Sequence, residues 1–315
     1  MSSGTSLRIG VIGVGHVGRH HARILCDMPG VQLAGILDLN RQRATDIAAA
    51  CRTEVVTDAA VLAGMVDAVT IAVPTASHAA VAGPLLEQGV PVLIEKPLAR
   101  SIAEADMLVE LADRAGALLA VGHTERFNPA VAAARGHLHA PRFIECHRLG
   151  TFSERSLDID VVFDLMIHDL DVVLSLVNAP VTAIDAVGVP VLTPKIDIAN
   201  VRLRFGSGCI ANLTASRISR DRVRKIRFFQ ADSYVAVDYA AQELEVWRLV
   251  RPPAGVPVIE GGKQPVAGEE PLRRELQDFA DAVRERRQPA VTGADGRRAL
   301  DLAQQITDQM TRVGP

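Results

Sequence analysis

The sequence predicts an α/β protein in two parts. The first is a doubly wound parallel sheet, and the second is an α+β domain with a large, mostly antiparallel open sheet. Three observations predict this. Apolar strand-like runs alternate with helical segments from residue 7 to residue 122, the pattern of parallel strands joined by helical crossovers. A glycine run sits between the first strand and the first helix. Beyond about Pro141 the strand-like runs follow one another with a single strongly apolar helix among them, as in antiparallel sheets.

Leu7–Gly13 reads as a buried strand that leads into Gly13-Val14-Gly15-His16-Val17-Gly18 and then a helix to about Cys26. A second strand, Val31–Leu37, ends at Asp38. A GxGxxG run in this context is the fingerprint of a dinucleotide-binding Rossmann domain. Gly13 allows the tight turn, Gly15 lets the backbone approach a diphosphate, and Gly18 lets helix and strand pack closely. With His16 and Val17 they bring the diphosphate onto the helix N-terminus, where N–H groups and the dipole favour anions. Asp38 lies twenty residues beyond Gly18, the spacing of an acid that binds the adenosine ribose hydroxyls. Its charge repels a 2′-phosphate and favours NAD, although Arg41 and Arg43 leave NADP open.

The alternation continues with Arg41–Cys51 (helix), Asp67–Val73 (strand), Ala76–Gln88 (helix), Pro91–Glu95 (strand), Ile102–Ala115 (helix) and Ala117–Gly122 (strand). Pro74, Thr75 and His78 follow a strand tip on the side of Asp38. His78 either touches the cofactor or caps its helix. The run Val92-Leu93-Ile94 stops at Glu95-Lys96-Pro97, because proline cannot donate to a ladder. Glu95 and Lys96 therefore stand at the carboxyl end of a strand, where open α/β sheets hold ligands. An ammonium there can steer a proton or stabilise a developing alkoxide. The plainer reading is a surface lysine paired with Glu95.

In the second part, strands are predicted at Arg142–Gly150, Val181–Val189, Ala199–Phe205, Cys209–Ser216, Val223–Gln230, Tyr234–Asp238 and Leu244–Val250. Arg251–Pro271 reads as an exposed loop, and Leu272–Arg286 and Ala294–Arg312 as helices. The apolar helix Ile159–Val177 carries one polar stripe of Asp160, Asp164, His168, Asp171 and Ser175. Asp164 and His168 are one turn apart, so the carboxylate can raise the basicity of the imidazole and orient it, as a general base requires. An ordinary solvent-facing stripe is the alternative. The pair signals no third ligand, so no metal site is expected. The domains are placed at 1–122, 123–292 and a closing helix at 293–315.

Composition narrows the function. With 34 Lys+Arg against 37 Asp+Glu, the net charge of −3 makes no case for nucleic acid. No apolar run approaches the ~20 residues of a bilayer span, and the first residues lack a secretory pattern. Cys26, Cys51, Cys146 and Cys209 form no CxxC pair and read as free, mostly buried thiols of a cytoplasmic protein. One Trp and two Tyr argue against a sugar site built on aromatic platforms.

Together Gly13–Gly18, Glu95-Lys96-Pro97, Asp164 with His168, and Gly293-Ala294-Asp295-Gly296-Arg297-Arg298-Ala299 resemble the Gfo/Idh/MocA family of NAD(P)-dependent sugar and cyclitol dehydrogenases. The resemblance implies that Lys96, Asp164 and His168 surround the reacting carbinol. It also implies a cis Lys96–Pro97 bond, a closing helix that packs back near the first domain, and a homodimer or homotetramer formed through the open sheet. Residues 122–131 and 147–158 resemble the branch containing UDP-N-acetylglucosamine 3-dehydrogenases. That implies a nucleotide sugar as substrate and a partner aminotransferase, dependent on pyridoxal phosphate, that takes up the ketone for a diamino-sugar lipid A. Arg126 and Arg155 then meet the diphosphate and Asn128 an acetamido or hydroxyl group, or else the arginines form structural ion pairs. A free sugar or cyclitol dehydrogenase and a non-catalytic NAD-binding regulator are the competing readings.

Overall fold

A computed structural model describes residues 6–152, 159–253 and 255–312. The chain forms two compact units, Met1–His123 with Leu272–Leu300, and Thr124–Pro271 with Asp301–Pro315.

The first unit is built on five parallel strands: β1 (Leu7–Ile12), β2 (Val31–Leu37), β3 (Ala68–Ile71), β4 (Val92–Glu95) and β5 (Leu119–Gly122). Their order in the sheet is β2-β1-β3-β4-β5. The connecting helices are α1 (Gly18–Cys26), α2 (Arg41–Cys51), α3 (Ala59–Met65), α4 (His78–Glu87) and α5 (Ile102–Ala115). Ile9, Val11, Val69, Ile71, Val92 and Ile94 are fully buried, which is why these strands read as continuous apolar runs. Because β1 pairs with both β2 and β3, strand order reverses at its tip. That tip is the crevice where such sheets bind nucleotides, and the glycine run occupies it. Local signals fix the helix starts: the side chains of Asn40, Asp58 and Ser101 accept backbone N–H groups of α2, α3 and α5. The seven-residue α3 is too short to show a helical period and is not anticipated by the sequence reading.

The second unit carries an eight-stranded sheet of β6 (Phe143–Leu149), β7 (Val181–Val189), β8 (Ile198–Phe205), β9 (Ile210–Ser216), β10 (Val223–Phe229), β11 (Ser233–Asp238), β12 (Glu243–Val250) and β13 (Val258–Gln264). The order is β13-β12-β11-β10-β6-β9-β8-β7, antiparallel throughout except for the β6–β9 pair. Ile144, Cys146 and Arg148 of β6, and Ala199, Val201 and Leu203 of β8, point alternately to one buried face. Two short stretches depart from expectation. Pro129–Ala134 forms a helix, α6, capped by Asn128. The loop expected over Arg251–Pro271 contains the edge strand β13, whose Gly261 has φ +143 and passes so close to β12 that a Cβ would collide with the Val246 carbonyl oxygen.

The helix expected over Ile159–Val177 has two parts, a π-helical turn at Val162–Met166 and then α7 (Ile167–Leu176). The last helices are α8 (Pro271–Glu285) and α9 (Gly293–Arg312). Sequence order assigns α8 to the second domain, but it belongs to the first unit: Leu276, Phe279 and Ala280 lie in one core cluster with Ile9, Ile24 and Leu25. The start of α9 packs in the same unit, where a Cβ on Gly296 would meet Val121 at 2.6 Å. No helix among the described residues is long and apolar enough to cross a membrane.

Candidate active site

In the first unit, the turn after β1 is shaped by its three glycines. Gly13 has φ +84, which glycine adopts without strain, and its N–H donates to Leu37 O at 2.7 Å. A Cβ on Gly18 would collide with the Gly13 carbonyl oxygen, whereas one on Gly15 would meet nothing within 4 Å. The space above Gly15 is thus open, and His16 and Val17 are exposed beside it at a helix start with no side-chain cap. This fits an anionic diphosphate. Two substitutions separate the roles of the glycines. Gly18→Ala is expected to lower both the melting temperature and NAD affinity. Gly15→Ala should leave melting unchanged and weaken NAD binding by about tenfold or more, roughly 1.4 kcal/mol. Thermal shift and calorimetry on both variants check this contrast.

Asp38 follows β2 and is enclosed, its side chain 4% exposed. It accepts from Val14 N and Asn40 N, each at 2.8 Å, and from Arg43 Nη2 at 2.7 Å. Burial alone would raise its pKa, but the Arg43 bond and the two backbone donors outweigh burial and hold it below the ordinary carboxylate value.

Pro74 is exposed and Thr75 half-buried in a short 3₁₀ turn after β3. His78, expected near the cofactor or at a helix cap, is instead a strut. It is 1% exposed, with Nε2 3.0 Å from Val73 O and Nδ1 3.0 Å from Pro97 O. It ties the β3 tip to the β4 tip, and burial pushes its imidazole pKa down. Lys96 is half-buried directly after β4, and its bond to Pro97 is cis. The neighbouring Glu95 corrects another expectation: its carboxylate turns inward to His21, 3.0 Å away, rather than toward the cofactor side.

In the second unit, Asp164 lies in the π turn and His168 in the first turn of α7, both half-buried. π turns recur at functional sites because the extra residue re-aims the side chains around it. The rest of the expected stripe is committed elsewhere. Asp160 accepts from Ile196 N, Ser175 accepts from Arg135, and Asp171, 1% exposed, takes a bidentate pair from Arg126 at 2.8 and 2.9 Å. Arg126 is therefore held as a structural ion pair, 9% exposed, and is not displayed for a diphosphate. Asn128, 1% exposed, caps α6 and donates to Tyr239 O at 3.0 Å, so it is likewise structural. Arg155 lies outside the described residues.

The sequence reading missed the main charge network of this unit. Arg148, 4% exposed, makes a bidentate pair with Asp169 at 2.7 and 2.8 Å, bonds Glu125 at 2.9 Å and stacks over the Tyr239 ring at 5.1 Å. An arginine at an inward position of a strand was the available signal, since such a charge must find partners.

The sequence pattern of an oxidoreductase family with an NAD-binding Rossmann fold, Gfo/Idh/MocA, matches residues 7–123, and that family's C-terminal domain matches residues 130–231. A UDP-N-acetylglucosamine 3-dehydrogenase of Acidithiobacillus ferrooxidans is 40% identical over 302 residues, covering 95% of this chain and 96% of that protein. The chain belongs to the Gfo/Idh/MocA family. A solved structure of a UDP-N-acetylglucosamine 3-dehydrogenase from the same organism superposes with a TM-score of 0.91 at 39% identity, covering 96% of this chain and 97% of that one. An inositol 2-dehydrogenase of Saccharopolyspora erythraea is 32% identical over 193 residues, 58% of this chain and 57% of that protein. The protein is thus an oxidoreductase with an NAD-binding Rossmann domain, and its parallel and mostly antiparallel sheets are those of Gfo/Idh/MocA structures.

Proposed function

We propose that the protein oxidises the 3-hydroxyl of UDP-N-acetylglucosamine to the 3-keto sugar with NAD. The observation that carries this reading is the 40% identity to the Acidithiobacillus enzyme along nearly the whole chain, with Lys96 at its strand tip. The inositol dehydrogenase likeness covers only 58% of the chain and ranks second.

When bound, NAD accepts the hydride, and the chain supplies the proton chemistry and the positioning. His168 takes the proton of the substrate hydroxyl, Asp164 steadies the imidazolium that results, and Lys96 donates a hydrogen bond to the oxygen as negative charge develops. In the alternative version of the step Lys96 is the base and His168 the donor. The glycine cradle of Gly13, Gly15 and Gly18, with the His16 and Val17 backbone, holds the diphosphate. Pro74 and Thr75 border the nicotinamide half. Asp38 takes the ribose hydroxyls and keeps Arg43 neutralised, so a 2′-phosphate meets a carboxylate rather than a guanidinium. Asp38→Ser frees Arg43 and is expected to shift the ratio of kcat/KM for NADP over NAD by about tenfold or more. An unchanged ratio would mean that Asp38 does not read the ribose. The ketone is consumed by a pyridoxal phosphate aminotransferase, and the protein works in the cytoplasm as a homodimer or homotetramer.

The test is NADH formation by the purified protein with UDP-N-acetylglucosamine, glucose, inositol or a UDP-uronic acid, a glutamate-dependent aminotransferase drawing off the ketone. Turnover with UDP-N-acetylglucosamine alone is expected. Inositol oxidation at equal kcat/KM would replace this reading with a cyclitol dehydrogenase. NAD binding without turnover on any of the four would favour a regulator.

A further inference from the structure

Behind Lys96 lies a cluster of buried ionisable side chains with no part in the chemistry above. His21 of α1 is 0% exposed, Glu275 of α8 is 1% exposed, and the Glu95 side chain is 12% exposed. One nitrogen or oxygen atom from each lies within 4.8 Å of the other two. His21 Nε2 donates to Glu95 Oε1 at 3.0 Å, and Glu95 Oε2 accepts the Lys96 N–H at 3.3 Å. The carboxylate has room because Gly122, its register partner on β5, has no side chain; a Cβ there would stand 3.1 Å from the carboxyl carbon. From the other side, His78 engages the carbonyls of Pro97 and Leu98 at 3.0 and 3.3 Å. Residues 95–98 are therefore gripped by two buried histidines.

Two carboxylates this close inside a domain are tolerated only when protons or cations neutralise them. Burial alone would raise the Glu95 pKa. The His21 bond and the Lys96 charge outweigh burial and hold it low. Glu95 is thus a fixed anion beside Lys96.

We propose that His21 is a positioning residue for Lys96: its bond keeps Glu95 ionised and folded over Gly122, and that anion, which also accepts the Lys96 backbone N–H, sets the charge state of the Lys96 ammonium. The inference rests on the reading that Lys96 meets the reacting oxygen. It concerns Lys96 itself, however, so one readout needs neither sugar nor NAD. In Glu95→Gln and His21→Leu, acetylation of Lys96 by an amine-selective ester, measured by peptide mass spectrometry against the exposed Lys195, is expected to accelerate about three- to tenfold. A lysine that loses its anion is more often neutral, and one pKa unit is a tenfold change in that population. In parallel, kcat for the sugar is expected to fall about tenfold with KM for NAD unchanged, and His21→Gln, which keeps an N–H donor at this position, should recover part of the loss. A structural contribution alone would lower melting without accelerating acetylation. Unchanged labelling in the folded Glu95→Gln and His21→Leu variants, or a stoichiometric divalent ion bound to the purified wild-type protein, overturns the proposal. Accelerated labelling in a protein that oxidises none of the four sugars would uphold the positioning and reject only the substrate.

Discussion

Replacing Lys96 with alanine is expected to lower kcat by about a thousandfold, the effect of removing a donor to a developing oxyanion, or a proton-transfer group, from a preorganised site. NAD affinity should change by less than about threefold, because the diphosphate cradle and Asp38 stand at the β1 and β2 tips, away from β4 in the sheet order. Stability should also hold, since Lys96 is only half-buried. Lys96→Arg keeps the charge but loses the compact ammonium, and should recover little. Steady-state kinetics with calorimetry on the same preparations would decide. A variant within tenfold of wild-type turnover removes Lys96 from the chemistry.

The second large effect falls on stability. Arg148→Ala leaves Asp169 buried without its bidentate partner and takes from Glu125 its 2.9 Å bond. Breaking a buried pair from one side typically costs about 3–5 kcal/mol, because the stranded charge keeps its desolvation penalty. For a chain of this size that corresponds to a fall in melting temperature of roughly 10 °C. Arg148→Met combined with Asp169→Leu removes both charges of the pair and is expected to recover much of the loss. Chemical denaturation of the three proteins measures this. A single variant less than about 1 kcal/mol below wild type would show that the network contributes little.

The features legible in the sequence are those encoded by adjacent residues. The glycine run, the acid after β2 and the strand that halts at Pro97 each carry their physical cause within a few positions, and they locate the nucleotide cradle and Lys96. Asp164 and His168 were visible as a pair at helical spacing, although the π turn that contains Asp164 was not, because nothing in Val162–Met166 departs from an ordinary apolar helix. Partners distant in sequence were the main source of error. Arg126 and Asp171 are 45 residues apart and Arg148 and Asp169 are 21 apart, so spacing alone could not tell a structural guanidinium from one meant for a ligand. Glu95 reads as a ligand contact from its place at the strand tip, but His21, 74 residues earlier, holds it inward. The edge strand β13 escaped because its Gly261-Gly262 pair reads as a turn, yet a glycine at 261 is what lets the strand lie against β12. The placement of α8 with the first unit follows from Leu276 and Phe279 joining that core, a contact that sequence order cannot express.

Hydride removal from C3 of UDP-N-acetylglucosamine, the activity proposed for this chain, is followed with substrate deuterated at C3, incubated with the protein, NAD and the trapping aminotransferase before mass analysis of the recovered cofactor. One deuterium on the nicotinamide ring is expected, with a slower rate than for unlabelled substrate where hydride transfer limits turnover, and an amine at C3 of the trapped sugar. Recovery of unlabelled NADH, or of a ketone at another carbon, would contradict the proposed activity.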